Sequence, residues 1–145
     1  MSPGMPEDRS ALVALLPHRP PFLFIDEVDD CEPAVSVRAR YRVTGDEAFL
    51  AGHYPGNPVF PGVLQLEALA QAGAIAVLAD ARYAEKLPLF GGVEEARFRR
   101  LVKPGDVLDL AVDIERLSAR GGWGRGVASV EGAECCRGRL LFALA

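Results

Sequence analysis

From Gly62 to Ala79 the chain reads as one helix that is apolar nearly all the way round, interrupted only by Gln65, Glu67 and Gln71. A surface helix keeps a polar face toward water, so a helix without one has to be covered on most of its sides. The helix starts at Pro61 or Gly62, since proline suits a first helical position, where its missing N–H has no intrahelical partner to lose. A rise of about 1.5 Å per residue makes it roughly 27 Å long. Its alanines and Gly73 let a neighbouring layer come close. The apolar run is too short and too often interrupted for a membrane span.

The rest of the chain supplies strands to cover it. Val35, Val37, Ala39, Tyr41 and Val43 alternate with Ser36, Arg38, Arg40 and Arg42, which predicts a strand with one buried and one basic face. Phe22-Leu23-Phe24-Ile25 reads as the start of another strand. After the helix, and after a surface loop from Asp80 to Leu89, strands are predicted over Glu94–Val102, Val107–Leu117, Trp123–Val130 and Cys135–Ala143. Pro104-Gly105-Asp106, Ala119-Arg120-Gly121-Gly122 and Glu131-Gly132-Ala133 supply the turns. A short helix is expected from Glu7 to Leu16, with Asp8 or Ser10 as its cap and Pro17 as its stop. Met1–Pro6 reads as a loose tail. An antiparallel sheet curled around one helix satisfies this order of elements. The 145 residues suit one domain, with no internal repeat or linker.

Composition narrows the function. The chain is 50% hydrophobic and 25% charged, with a formal net charge of -4, which argues against general affinity for nucleic acid. Cys31, Cys135 and Cys136 are an odd set with two neighbours and do not form a disulfide framework. On a strand, Cys135 and Cys136 would face opposite sides. The only histidines are His18 and His53, and no Cys/His spacing points to a metal. Met1–Asp8 lacks a basic region followed by an apolar core, so no signal peptide is read and a cytoplasmic protein is expected.

Between Glu47 and Asp80 the titratable side chains are His53, Tyr54 and Glu67 alone. Isolated in an oily segment, an imidazole and a carboxyl group have the properties that general acid–base chemistry uses. Glu67 has no lysine or arginine in the neighbouring turns, and Gln71, four residues on, can orient it. The bland alternative is a glutamate on an exposed stripe beside Gln65 or Gln71. His53 lies in a loop stiffened by Pro55, Pro58 and Pro61, where a base, a ligand or a loop hydrogen-bonder all fit. Gly62 opens the helix, where backbone N–H groups are unpaired and the dipole is positive, so a carbonyl placed there is stabilised as it becomes enolate-like. The plain alternative is a Pro-Gly turn that starts a helix. Taken together, the three residues can abstract a proton next to a carbonyl. His53 takes it, the Gly62 N–H holds the oxygen and Glu67 serves a leaving hydroxyl.

Four stretches resemble the (3R)-hydroxyacyl-acyl-carrier-protein dehydratases of type II fatty acid synthesis. They are Leu16-Pro17-His18-Arg19 with Pro21-Phe22-Leu23 and Asp26; the loop from Gly52 to Leu64; Glu67-Ala68 with Ala70-Gln71; and Ala96-Arg97-Phe98 with Pro104-Gly105-Asp106. The resemblance implies an α+β hot-dog fold, a curved antiparallel sheet of about five or six strands around one long central helix. It implies a homodimer, often a trimer of dimers, with His53 as base and Glu67 as acid meeting across the subunit interface. It further implies that the Gly62 amide polarises the thioester carbonyl, that the Val59 carbonyl orients His53 and that Gln71 positions Glu67. The acyl chain would lie in an apolar tunnel, and no metal or diffusible cofactor is implied, because the substrate arrives on phosphopantetheine. Glu67, where a related dehydratase/isomerase has Asp, favours dehydration without isomerisation. Pro20, Tyr54, the Gly-rich segment after Gly121 and Arg137-Gly138-Arg139 depart from the pattern.

Acyl carrier protein is acidic, and Arg97, Arg99, Arg100 and Lys103 form a basic cluster that suits it, with Arg38, Arg40 and Arg42 as a second. Arg97 and Arg99 are expected to share a strand face. His18 is read as bracing a turn between Pro17 and Pro20. The rival readings are an (R)-specific enoyl-CoA hydratase or acyl thioesterase of the same fold, and a non-catalytic acyl-binding subunit.

Overall fold

The computed structural model describes residues 9–145. Its elements in chain order are α1 (Ser10–Val13), β1 (Glu27–Glu32), β2 (Ser36–Arg42), a 3-10 turn (Ala48–Gly52), α2 (Gly62–Leu78), β3 (Pro88–Phe98), β4 (Val107–Ser118), β5 (Gly121–Val130) and β6 (Ala133–Leu144). The six strands form one antiparallel sheet in the order β1-β2-β4-β5-β6-β3. The sheet curls around α2, which packs against β2, β3, β4, β5 and β6. From Ala68 to Leu78 every residue of α2 is buried, as its lack of a polar face requires. Leu69 and Ile75 are fully enclosed, and each such side chain contributes about 1.5–3 kcal/mol relative to an exposed one.

Close approach of the layers depends on small residues on both sides. A Cβ on Gly73 of α2 would stand 2.5 Å from the Phe142 ring. A Cβ on Gly126 of β5 would crowd Leu69, and one on Gly138 of β6 would crowd Leu66 and Val93. The glycines that set this C-terminal half apart in sequence thus make the room in which the helix sits.

The alternation read in β2 is present: Val37, Ala39 and Tyr41 are buried between outward arginines, although Val35 is largely exposed. The basic face is not a free one. Arg38 pairs with Asp113 at 3.4 Å, and Arg40 pairs with Asp29 at 2.9 Å and with Glu27.

Three local expectations need correction. Phe22–Ile25 is not a strand start. The Phe24 N–H donates to Gln71 Oε1 at 2.8 Å and the Phe22 carbonyl accepts from Gln71 Nε2 at 3.0 Å, so this backbone is bound by a helix side chain rather than by a neighbouring strand. The N-terminal helix is shorter than predicted, with Arg9 at its cap position, Ser10 inside it and tight turns from Leu15 onward. Glu7, the Asp8 cap and the Met1–Pro6 tail lie outside the described residues. Third, β3 runs from Pro88 to Phe98, so it begins inside the loop expected over Asp80–Leu89 and ends before Val102. Cys135 and Cys136 hold successive positions on β6, as a strand with alternating faces requires, and both are buried. The N–H groups of Arg99 and Arg100 donate to the Cys135 carbonyl, so the chain beyond β3 runs over that end of β6.

Candidate active site

The loop before α2 is anchored at its far end. Phe60 is fully buried, its N–H donates to the Val102 carbonyl at 2.7 Å, and its ring packs with Phe24, Tyr41 and Phe49. Upstream, Leu50 buries the 3-10 turn. Between these anchors His53 is held by its ring: Nδ1 lies 2.6 Å from the Val59 carbonyl. A carbonyl only accepts, so Nδ1 carries the proton and Nε2 is left with a lone pair. Tyr54, in a left-handed conformation with φ 53°, sets its ring 4.6 Å from the imidazole.

At the helix start the N–H groups of Leu64 and Gln65 turn back onto the Pro61 carbonyl. Gly62 and Val63 lie ahead of any intrahelical acceptor, so their N–H groups mark the positive end of the dipole. The Phe98 ring covers this point. A Cβ on residue 62 would stand 2.7 Å from Phe98 Cδ1, so only glycine admits both the ring and a close approach to the backbone.

One turn into the helix is Glu67. Gln71 is buried and its amide is fixed by Phe22 and Phe24, which leaves Nε2 to donate to Glu67 Oε2 at 2.8 Å. His18 was read from the sequence as a turn brace, yet its Nε2 lies 3.6 Å from the same oxygen. Its partnership with Glu67 crosses a long stretch of chain, and the one sequence signal was its rarity. A cavity of about 240 Å³ opens beside Glu67, lined by His18, Phe22, Leu89, Phe90 and Phe142 among others, and His53 is not part of its lining. Gln71 and Glu67 are thus brought together, as are Val59 and His53, while no hydrogen bond or ion pair joins His53 to Glu67 within the chain.

The predicted basic cluster divides. Arg97 and Arg99 line one groove with Arg125, Arg137 and Arg139, whereas Arg100 and Lys103 line a separate depression. Arg99 is engaged by Glu134 at 2.6 Å, while among the described residues the Arg97 guanidinium meets only the Ala96 carbonyl at 3.4 Å. The cysteines are not nucleophiles in waiting. Burial, then Asp30, pushes the Cys31 thiol up to about 11, and burial, then Cys135 and Glu134, pushes Cys136 up to about 12. Among the described residues no group of three or more His, Cys, Asp or Glu side chains is placed to hold a metal, and no helix is long and apolar enough to cross a membrane.

Residues 16–139 match the FabA-like domain. The chain is 46% identical over 135 residues to the 3-hydroxyacyl-[acyl-carrier-protein] dehydratase FabZ of Latilactobacillus sakei subsp. sakei (strain 23K), a match covering 93% of this chain and 96% of that one. It is 50% identical over 130 residues to the protein of the same name from Symbiobacterium thermophilum, covering 90% and 92%. Among solved structures, the dehydratase heterocomplex ApeI:P from Xenorhabdus doucetiae superposes with a TM-score of 0.79 at 22% identity, over 92% of this chain and 90% of that chain. Cj0977, a sigma28-regulated virulence protein from Campylobacter jejuni, superposes with a TM-score of 0.72 at 15% identity, over 96% and 91%. At those identities the likeness is one of fold, the hot-dog arrangement of a sheet wrapped on a helix.

Proposed function

The chain belongs to the FabA-like domain family, and we propose that it is a dehydratase that removes water from (3R)-3-hydroxyacyl-acyl-carrier-protein thioesters in fatty acid biosynthesis. The observation that carries the mechanism is the fixed tautomer of His53: with Nδ1–H held on the Val59 carbonyl, Nε2 is the basic nitrogen. His53 Nε2 takes a proton from the carbon next to the thioester carbonyl. The Gly62 N–H, at the positive end of α2, stabilises the charge that develops on the carbonyl oxygen. Glu67, oriented by Gln71, gives a proton to the 3-hydroxyl group, the C3–O bond breaks and water leaves. The product is a trans-2-enoyl thioester. The base has gained one proton and the acid has lost one, and solvent exchange restores both.

The working unit is a homodimer in which His53 of one subunit meets Glu67 of the other. The separation of His53 from the Glu67 cavity supports this reading. So does β3, an edge strand of 11 residues whose outer row of N–H and C=O groups is unpaired by the sheet. Around it Phe22, Val63, Leu89, Phe90, Val93 and Phe98 are exposed apolar side chains, a patch that suits a second copy of the chain. The whole chain acts as one cytoplasmic catalytic domain. The acyl group arrives on the phosphopantetheine of an acidic carrier protein, whose docking surface includes Arg97, Arg99, Arg100 and Lys103. The mechanism requires no further cofactor.

The test is incubation with 3-hydroxyacyl carrier proteins of several chain lengths and detection of the acylated carrier by intact mass. Loss of one water is the expected result. Release of free carrier thiol would instead mean hydrolysis and would overturn the assignment, and an unchanged mass would do the same.

A further inference from the structure

The side chain of Gln71 has no freedom left. The Phe24 N–H can only donate, so it faces Oε1, and the Phe22 carbonyl can only accept, so it faces Nε2. Gln71 therefore presents a donor, and only a donor, to Glu67 Oε2. The same oxygen is approached from the other side by His18 Nε2 at 3.6 Å. The turn that carries His18 is pinned by Arg19, whose Nη1 donates to the Leu16 carbonyl at 2.7 Å and to the His18 carbonyl at 2.6 Å.

The other ring nitrogen of His18 decides its tautomer. Nδ1 is buried and has no hydrogen-bond partner among the described residues. A proton there would be an orphaned N–H, the kind of buried group that folded proteins most consistently avoid. Nδ1 is therefore the bare nitrogen, and Nε2, 3.6 Å from Glu67 Oε2, carries the hydrogen. The separation exceeds the 2.7–3.2 Å of an N–H···O bond, as catalytic contacts do before substrate tightens them. Glu67 Oε1 makes no hydrogen bond among the described residues.

We propose that His18 is a positioning residue for Glu67: its Nε2–H and the Gln71 amide together hold Oε2, so that the proton passed to the substrate hydroxyl is carried on Oε1. This rests on the assignment of Glu67 as the acid and extends it, because a carboxylic acid with a proton on the wrong oxygen cannot deliver it without rotating. Two donors on one oxygen make that oxygen the carbonyl end of the acid. Among the described residues, His18 is the one titratable group that faces Glu67. Gln71 and Phe22 supply only dipoles, and Leu89, Phe90 and Phe142 form an uncharged wall. In the dimer the second subunit adds His53.

The test compares His18→Ala with His18→Gln, whose amide N–H reaches the place of Nε2. In His18→Ala, kcat is expected to fall by ~10- to 100-fold, the scale of a misplaced catalytic group, with KM changed by less than about two-fold. The alkaline limb of the kcat profile should move to higher pH, because loss of a donor disfavours the ionised carboxylate. His18→Gln should recover most of kcat and the original limb. Carbon-13 NMR of the Glu67 carboxyl group, followed through a pH titration, reads the same contact without turnover. Its midpoint should rise in His18→Ala and stay in place in His18→Gln. An unmoved midpoint in His18→Ala would sink this inference even in an active dehydratase. A wild-type chain that removes no water would sink the acid assignment on which it stands. Equal loss of kcat and of thermal stability in both variants would reduce His18 to a structural residue and overturn the proposal.

Discussion

At the scale of single residues, Gln71 serves fold and site with the same three hydrogen bonds. It replaces a strand neighbour for the Phe22–Phe24 backbone and orients Glu67. Gln71→Leu keeps the volume but leaves a buried N–H and a buried carbonyl unpaired, each costing about 1–3 kcal/mol. Urea denaturation should show a loss of about 2–4 kcal/mol, with turnover reduced beyond what the remaining folded fraction explains. The Glu67–Gln71 pair was legible in the sequence because four residues on a helix are one turn. The approach of His18 to Glu67 was not, because a long-range contact leaves no local spacing to read. Glu47 is a second carboxylate whose work is structural. Burial opposes its ionisation, yet hydrogen bonds from its own N–H, from Thr44, from Tyr41 Oη at 2.9 Å and from Gly45 outweigh that and hold it below the ordinary 4.5. A depressed carboxylate stabilises the fold above its unfolded value, and that stabilisation is lost as pH falls through the folded one. Glu47→Gln should therefore be less stable than wild type at pH 7, and the gap should close as unfolding is measured at pH values progressively below 4.5.

At the scale of elements, the helix–sheet contact is set by how closely the two layers approach. Gly73→Ala places a methyl group 2.5 Å from the Phe142 ring and 3.3 Å from Val112. The helix gains about 1 kcal/mol in propensity from the change, while overpacking costs about 1–3 kcal/mol, so crowding wins. The variant should be destabilised by ~1 kcal/mol, measured by thermal or urea unfolding. In a Phe142→Leu background the clash is relieved and the same substitution should become stabilising. A sign that stays negative would show that the ring is not the obstacle. The need for such a helix to be enclosed was legible, since no face of it could meet water. So was β2, whose alternation is strict. The aromatic run Phe22–Ile25 misled because apolar composition reports burial and is silent on where the backbone hydrogen bonds go. The start of β3 was missed for a related reason: Pro88-Leu89-Phe90-Gly91-Gly92 carries turn residues, which an edge strand tolerates because one of its sides has no partner in the chain.

At the scale of the whole molecule, the surface divides into an apolar edge around β3 and a charged outer sheet face on which most arginines are matched by acids. Arg125 lies near Glu95 and Glu115, Arg139 near Glu94 and Glu115, and Arg137 near Glu134. Among the described residues Arg97 has no such carboxylate, so on the docking surface proposed above it is the guanidinium best able to meet an acidic carrier protein. Arg97→Glu should weaken carrier binding at low ionic strength by several-fold and lose most of its effect near 1 M salt, where the screening length is about 3 Å. Equal binding of the two proteins at low salt would remove Arg97 from the docking surface. The proposed arrangement of subunits has a sharper consequence. His53→Ala and Glu67→Gln should each reduce kcat by about 10²–10⁴-fold as pure proteins. If one site takes His53 from one chain and Glu67 from the other, a mixed dimer of the two variants contains one site with both residues intact and one with neither. Unfolding and refolding an equal mixture gives half mixed dimers, so activity should return to about a quarter of wild type. If instead both residues act within one chain, every site in every dimer carries a defect and mixing restores nothing. The assay thus separates a shared site from two private ones.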